Sequence, residues 1–423
     1  MKIGIIGAGI GGLILGYYLS QKGYEITIWE ENKEAGGLLR GIPIGNSFIE
    51  GYYHHLFTKD HEAINLIKKL GLGEKILFLN GKIGIYYGNK IYPFTGALDL
   101  LRFSPLPFVD RWRCGLFTLY LKLLKNGQYL KEITAVGWLK KYMGEKVYKV
   151  IWQPLLEGKF GEEAPKISMI WLWNRIYRRG EKLVYLHDGF QQLITRLKEK
   201  IEGENGTILI DTKINNIKEL PKNKIEVSYN NILHIFDKVI VTTSIPEFIR
   251  NTKDLPEKYT RTLREIKYRS GLCVLLFLKK KFLENVYWLN IHDQKMQILS
   301  VVEQTNFMKP QDYGNKHVLY VGNYPDSIDN ILKMSDQELV RVITKELKKI
   351  NKDFEEKSIE SYYVFRDKEA QPVVTTNYAV PDFHTPIKNL YLMTMAQIYP
   401  EDRGINQAVK MAKQLALIIK NEK

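Results

Sequence analysis

The chain has 423 residues, 45% hydrophobic and 26% charged, enough for two packed domains and unlike the composition of a disordered or fibrous protein. Its two cysteines, Cys114 and Cys273, lie in apolar surroundings and offer neither a disulfide framework nor metal-ligand spacing, so no metal is expected and a reducing, cytoplasmic setting is. The formal net charge of +15 comes from basic residues scattered among acids, as in KKLGLGEK, and with no nucleic-acid-binding signature or internal repeat beside it, nucleic acid is not an expected partner.

The first thirty residues, MKIGIIGAGIGGLILGYYLSQKGYEITIWE, organise the chain. An apolar run, Ile3 to Ile6, leads into Gly7-Ala8-Gly9-Ile10-Gly11-Gly12, a GxGxxG pattern. Gly7 permits the tight turn out of a strand, Gly9 lets backbone approach a pyrophosphate, and Gly12 lets the next helix pack close. The helix N-terminus supplies free N–H groups to the phosphates. Glu30, at the end of the alternating segment Glu25 to Trp29, is placed to accept ribose hydroxyls. The uncharged stretch Ile3 to Gln21 also has the look of a signal-peptide core or short membrane span, but its six glycines and the strand pattern behind it favour a βαβ dinucleotide site.

Past Glu30 a glycine doublet, Gly36-Gly37, allows a second backbone loop near the nucleotide. Glycines, acid and doublet together resemble the extended FAD-binding motif of amine oxidases, protoporphyrinogen oxidases, phytoene desaturases, UDP-galactopyranose mutases and Rab GDP-dissociation inhibitors. The resemblance implies FAD as cofactor and a mixed α/β fold: a Rossmann-like FAD-binding domain of the glutathione-reductase-2 type, with an inserted substrate domain of mixed sheet plus helices. On that pattern the FAD domain takes 1–80, 185–255 and 373–423, and the substrate domain 81–184 and 256–372. The loop around Gly51 to Thr58 would pass beside the flavin ring. His55-Leu56-Phe57-Thr58 is similar to the HxFH segment of galactopyranose mutases, with Thr58 where their second histidine stands.

Periodic Ile64, Leu66, Ile67 and Leu70 predict a helix from Asp60 to Leu72, and short strands follow at Ile83–Tyr87 and Lys90–Pro93. Leu98 to Lys125, rich in Leu and aromatics with basic residues interleaved, suits both an interfacial helix pressed into lipid headgroups and the buried helices of a substrate domain, the latter preferred. Helices are expected through Val136 to Trp152. Trp171, Arg175 and Tyr177 are candidates to line the substrate cavity.

The segment His187 to Leu193 resembles the families' GGxxxL return to the FAD domain, with Asp188 in place of the first glycine, and Ile214 matches the position that contacts adenine through its backbone. A helix to Ile201, a strand at Thr207 to Asp211, a hairpin of Lys224–Tyr229 with Ile232–Phe236, and a buried strand within Asp237 to Thr243 follow, then a crossing at Pro246. Strands at Leu272 to Leu278, Ile298 to Val302 and Val318 to Tyr324 and a helix at Asp336 to Ile350 predict a mixed sheet, with Arg366 and Gln371 as polar candidates at strand ends.

Tyr399 to Ala408 occupies the place of the families' second FAD motif. Gly404 and Ile405 keep the helix opening that would face the flavin, whereas Thr394 and Met395 stand where Gly-Asp is usual, so Asp402 and Gln397 are the candidates to compensate. Arg403 is suited to hold flavin charge or an acidic substrate, or to pair with Glu401 or Asp402. The resemblance implies an FAD-dependent oxidoreductase passing a hydride from an organic substrate to flavin N5, with His55, Tyr399 and Arg403 near the ring and oxygen or a quinone as acceptor. The substrate would be a small molecule, anionic or hydrophobic. The alternatives are a non-redox sugar mutase using reduced flavin as nucleophile and a non-enzymatic binding protein. The expected location is cytoplasmic, with peripheral contact to an inner membrane through 98–125 if that helix is interfacial.

Overall fold

The computed structural model describes residues 1–180, 182–230 and 232–422. The uncharged N-terminal stretch forms the strand Lys2–Ile6 and the helix Ile10–Ser20, both buried nearly throughout. A five-stranded parallel sheet is ordered Thr207–Leu209, Glu25–Trp29, Lys2–Ile6, Lys238–Val241, Leu390–Leu392. Strands buried on both faces read as continuous apolar runs, hence KIGII and KVIV. Helix Ile10–Ser20 packs between Gln191–Glu202 and the C-terminal helix Ile405–Asn421. Elements far apart in sequence therefore make one nucleotide-binding layer.

A seven-stranded sheet runs Ile359–Pro372, Tyr268–Leu278, His317–Asn323, Ser300–Glu303, Trp288–Ile291, Ile83–Tyr87, Lys90–Pro93. Its one parallel pair, Ile83–Tyr87 with Trp288–Ile291, joins the early strands to the later ones. Helix Asp336–Ile350, capped by the Ser335 hydroxyl and the Glu338 carboxylate in a reciprocal box, packs Leu339, Ile343 and Leu347 into the core under one face. The other face carries Tyr52 and Tyr53, whose hydroxyls reach Gly271 O and Ser300. Helices between Ala97 and Arg178 gather around Phe160, Trp171 and Leu172 as a separate apolar core. A three-stranded sheet sets Lys182–Leu186 between Leu56–Phe57 and Ile76–Asn80.

Three elements depart from expectation. The helical stretch to Trp152 breaks at Gly144, which at φ +99 ends Ala135–Tyr142 before a short helix and a wide turn at 148–152. Pro246 makes no extended crossing; it sits in the first turn of the helix Ile245–Asn251, where its missing N–H costs nothing. The strand Ile359–Pro372, read from sequence only as a source of polar end groups, is a long sheet edge whose alternating charges keep it from pairing further.

Candidate active site

The glycine pattern opens one long cleft of about 520 Å³ that runs from Glu30 to the Tyr52–His55 loop. Gly7 turns at φ +103, and a Cβ there would meet the Thr242 hydroxyl at 2.7 Å. A Cβ on Gly12 would lie 2.0 Å from the Gly7 carbonyl, so only glycine lets this helix approach its strand. Around a Cβ on Gly9 there is only open space, on the cleft side. Helix Ile10–Ser20 has no side-chain cap and no acid in its first turn, leaving its N–H groups for an anion. Gly36 and Gly37, at φ +120 and +58, bring the second loop against the first: Gly36 N–H donates to Ala8 O at 2.8 Å. The buried Glu30 carboxylate accepts from Ala8 N–H at 2.9 Å and from the Asn32 backbone and side-chain amides at 3.0 and 2.6 Å. Oε1 takes both Asn32 bonds and Oε2 the Ala8 bond, so Oε2 keeps lone-pair capacity for a ribose hydroxyl.

At the other end the wall is rich in cations. Asp402 accepts from Lys159 Nζ at 2.7 Å and from Arg175 Nη1. Burial opposes its charge, yet Lys159 and Arg175 outweigh burial and hold the carboxyl well below the usual carboxylate range. Burial lowers the Lys159 ammonium, an effect that Asp402 partly offsets. Arg403 has no carboxylate partner among the described residues; its Nε donates to Gln371 Oε1 at 3.1 Å and its Nη2 to the Tyr324 hydroxyl at 3.0 Å. Burial alone would raise the Tyr324 phenol, but Arg403 and then Lys159 draw it down. Lys159 and Arg175 thus share the carboxylate of Asp402, and Arg403 adds a third cation beside it. Deeper still, Arg178 bridges Asp60 and Glu401 and ties the Phe57–Asp60 turn to the loop before the last helix.

Two histidines close this end. His54 Nδ1 lies 2.7 Å from Tyr52 O, and burial brings its imidazole to about 4. Burial and then Arg179 bring His55 to about 3, so both rings are neutral at physiological pH. Among the described residues, the buried His55 Nδ1 has no hydrogen-bond partner.

Of the residues singled out from sequence, Gly7, Gly9, Glu30, Gly36, Gly37, His55, Arg175, Arg403, Gly404 and Ile405 line this one cleft. The others do not. Trp171 is fully buried against Phe160 and lies under the Lys159 ammonium, a core residue rather than a cavity wall. Tyr399 stacks on Tyr378 away from the cleft, its backbone turning at the cis bond to Pro400. Arg366 pairs with Asp336 and Met334 O on the sheet's far side. Gln371 is buried beside the cleft and acts on it through Arg403. Gly51 makes room for the Phe365 ring, 2.8 Å from where its Cβ would be, and Ile214 lies in the apolar core with Ile6 and Trp29. Nor does Gln397 stand in for the missing Gly-Asp acid, because its amide is spent on Thr394 N–H, Asp382 O and Leu392 O. Asp402 is held by its two cations. Lys159 and Tyr324 were not singled out as site residues from sequence; a buried lysine in a helix of otherwise ordinary composition gives no local signal of its role.

The residues present fit FAD. Two uncapped helix N-termini, at Gly9 and at Gly404, open on the same cleft, with a ribose-type carboxylate at one end and a broad cation-lined chamber at the other. Fold and site define a dinucleotide-binding flavoprotein whose cofactor cleft continues into a cation-lined chamber. The model of the flavin containing amine oxidoreductase family matches residues 10–410, and the chain belongs to that family. Among its relatives is the coproporphyrinogen III oxidase of Staphylococcus aureus, 23% identical over 293 residues that make up 59% of this chain and 61% of that one. The L-amino-acid oxidase of Daboia russelii is 26% identical over 315 residues, 66% of this chain and 60% of that one. The match thus spans about three fifths of the length of these two relatives. A solved putrescine oxidase structure, a triple mutant redesigned in its cofactor binding, superposes with a TM-score of 0.78 at 14% identity, covering 100% of this chain and 99% of that one. Among the described residues, no helix is long and apolar enough to cross a membrane.

Proposed function

We propose that the protein oxidises a small organic substrate held in the cation-lined chamber, with residues 1–80, 185–255 and 373–423 carrying the cofactor and 81–184 and 256–372 enclosing the substrate. The observation that carries this reading is that one continuous cleft is lined by Glu30 and the glycine loops at one end and by His55, Lys159, Arg175 and Arg403 at the other. Bound FAD supplies the hydride-accepting chemistry, at N5 of its ring. Glu30 and the glycine loops bind the nucleotide half. Arg403, with the uncapped N-terminus at Gly404, supplies the positive potential that a two-electron-reduced ring requires. Tyr52, Tyr53 and the neutral histidines form an uncharged part of the wall. Substrate candidates are the classes its relatives' names carry: a porphyrinogen, an L-amino acid or an amine. Oxygen or a quinone is the acceptor.

The test is anaerobic visible absorbance of the FAD-loaded protein as each class is added. Bleaching of the oxidised-flavin band by one class identifies the substrate. If none bleaches it and the chemically reduced protein rearranges a nucleotide sugar, the oxidation reading is replaced by mutase chemistry.

The outward face of helix Phe108–Leu123 supports peripheral contact with an anionic membrane. Phe108, Val109, Trp112, Leu116, Leu119 and Leu123 stand largely exposed along it, flanked by exposed Arg102, Lys122 and Lys125. Sixteen residues reach about 24 Å, too short to span a bilayer but suited to lying in its headgroup plane.

A further inference from the structure

Away from the cleft, a small three-stranded sheet is ordered Asn216–Leu220, Lys224–Tyr229, Ile232–Phe236, so the last of these strands is an edge. Its inner face is occupied: Phe236 is buried with Ile225 and Val227 against Trp29. Its outer face is apolar and open, with Leu233 62% and Ile235 57% exposed, and Ile232 at the tip is 49% exposed. The phase of its backbone follows from the neighbouring strand. Ser228 O accepts from Asn215 N–H on the far side, so Ile225, Val227 and Tyr229 turn their peptide groups toward their register partners Phe236, His234 and Ile232. Leu233 and Ile235 therefore point their N–H and C=O groups away from the sheet. Among the described residues, no backbone group outside the hairpin bonds to the backbone of 232–236.

Native sheet edges are blunted by charge, proline or a bulge. Ser228 to Phe236 holds no Lys, Arg, Asp, Glu or Pro, and its pairing runs without a register shift. The edge strand Ile359–Pro372, by contrast, carries Glu360, Arg366, Asp367, Lys368 and Glu369. The symmetry of the uncharged strand decides its occupant. Turned antiparallel on itself about His234, it sets Leu233 beside Ile235 of a second copy and Ile232 beside Phe236, apolar against apolar at every position off the axis. That register also matches the backbone phase: Leu233 and Ile235 exchange both bonds with their counterparts, and His234 falls at the non-bonded position. With no charge on the strand there is nothing for an acidic or basic segment to read, so the partner it fits is a second copy of this chain.

We propose that the chain forms a two-fold dimer by antiparallel pairing of Ile232–Phe236 with the same strand of a second copy, centred on His234. A junction of this length is small, so the association is weak and depends on concentration.

The experiment is sedimentation equilibrium of the FAD-loaded protein as concentration is raised through the micromolar range, with flavin content and melting temperature read on the same samples. The wild type is expected to move from the mass of one chain toward that of two. Leu233→Lys combined with Ile235→Lys brings like charges together across the junction and is expected to weaken association by about tenfold or more. Ile235→Pro, which removes an outward N–H and none that the hairpin uses, is expected to do the same. His234→Cys is expected to give a covalent dimer on mild oxidation, because the Cα atoms of a non-bonded antiparallel pair stand about 4.5 Å apart, within disulfide reach. Leu233→Cys, whose two copies lie on opposite sides of the axis, is expected not to, and the native Cys114 and Cys273 are buried. A wild type that stays monomeric overturns the proposal. So does a dimer that both the Lys pair and Ile235→Pro leave intact, which would place the contact elsewhere on the molecule, and so does a dimer in which His234→Cys fails to cross-link. Should the Lys pair lose its flavin or its fold, Ile235→Pro and the cross-link still decide the matter.

Discussion

Single residues set the chemistry of this cleft through what they are paired with. Glu30 takes three hydrogen bonds from its own loops and still faces the nucleotide end. Glu30→Ala removes the ribose acceptor and also strands the Ala8 N–H, so FAD affinity is expected to fall by ~10–100-fold, at about 1.4 kcal/mol for each factor of ten; equilibrium dialysis against FAD measures it, and unchanged affinity counts against the dinucleotide end lying here. Arg403 differs in having only neutral partners, Gln371 and Tyr324. Its replacement by Met is expected to lower turnover more than tenfold while FAD content stays near that of the wild type; equal losses in both would place Arg403 in cofactor binding. Glu50 gives a pH dependence of folding. Its carboxylate is buried, accepts from the Tyr185 hydroxyl at 2.7 Å and from Phe190 N–H, and burial pushes it up to about 7. A group whose folded value lies above its unfolded one stabilises the fold at low pH and loses that contribution as pH rises from about 4.5 through 7. At ~1.4 kcal/mol per unit, the loss is on the order of 3 kcal/mol between pH 4.5 and 8. Urea denaturation at pH 5 and pH 8 should show this fall in the wild type and a flatter profile in Glu50→Gln; parallel profiles would remove Glu50 from the account.

Elements show why some of this was legible in the sequence and some was not. The strand, glycine loop and helix from Lys2 to Ser20 were readable because each step is enforced locally: a turn only Gly7 can make and a helix approach only Gly12 allows. The hairpin Lys224–Tyr229 with Ile232–Phe236 and the capped helix Asp336–Ile350 were readable for the same reason. The chamber was not, because Lys159 and Asp402 meet across 243 positions of sequence, and no spacing or period encodes such a meeting. Trp171 and Tyr399 were picked out because an aromatic near a cavity and an aromatic packed elsewhere look alike in sequence; in the fold Trp171 is fully buried and Tyr399 lies half-buried against the helical core. Helix Phe108–Leu123 was read by preference as a buried substrate-domain helix, though its composition suits an interfacial one equally. Its residues Cys114 and Leu121 turn inward and most of its large side chains outward. Replacing Trp112, Leu116 and Leu119 together by Glu is expected to abolish co-sedimentation with phosphatidylserine vesicles and to change the melting temperature little, since none of the three is in the core. A wild-type protein that stays in the supernatant with such vesicles, or a triple variant that still sediments, would end the membrane assignment.

For the whole molecule, the cleft is a joint between distant parts of the chain. Its walls come from the first strand and helix, from the Tyr52–His55 loop, from helices Gln153–Phe160 and Met169–Arg178, from the seven-stranded sheet at Tyr324, and from the loop before the last helix. The ties across it are polar and few: Asp402 to Lys159 and Arg175, Arg403 to Tyr324, and Arg178 to Asp60 and Glu401. A ligand that fills such a joint binds the folded state and not the unfolded chain, so it should stabilise the protein as a whole. At free FAD a hundred times its dissociation constant the gain is ~2.7 kcal/mol. With an unfolding entropy of about 2.1 cal/mol/K for each residue, a chain of 423 residues should melt about 3 °C higher with FAD than without it. Scanning calorimetry of the apoprotein with and without FAD measures this rise. In Glu30→Ala, where a ~10–100-fold weaker affinity leaves the same FAD at only about one to ten times its dissociation constant, the rise should shrink to about 0.5–1.6 °C; in Arg403→Met it should persist in full, because that side chain acts at the chamber end. An undiminished rise in Glu30→Ala would mean that FAD is held somewhere other than the cleft the glycine loops define.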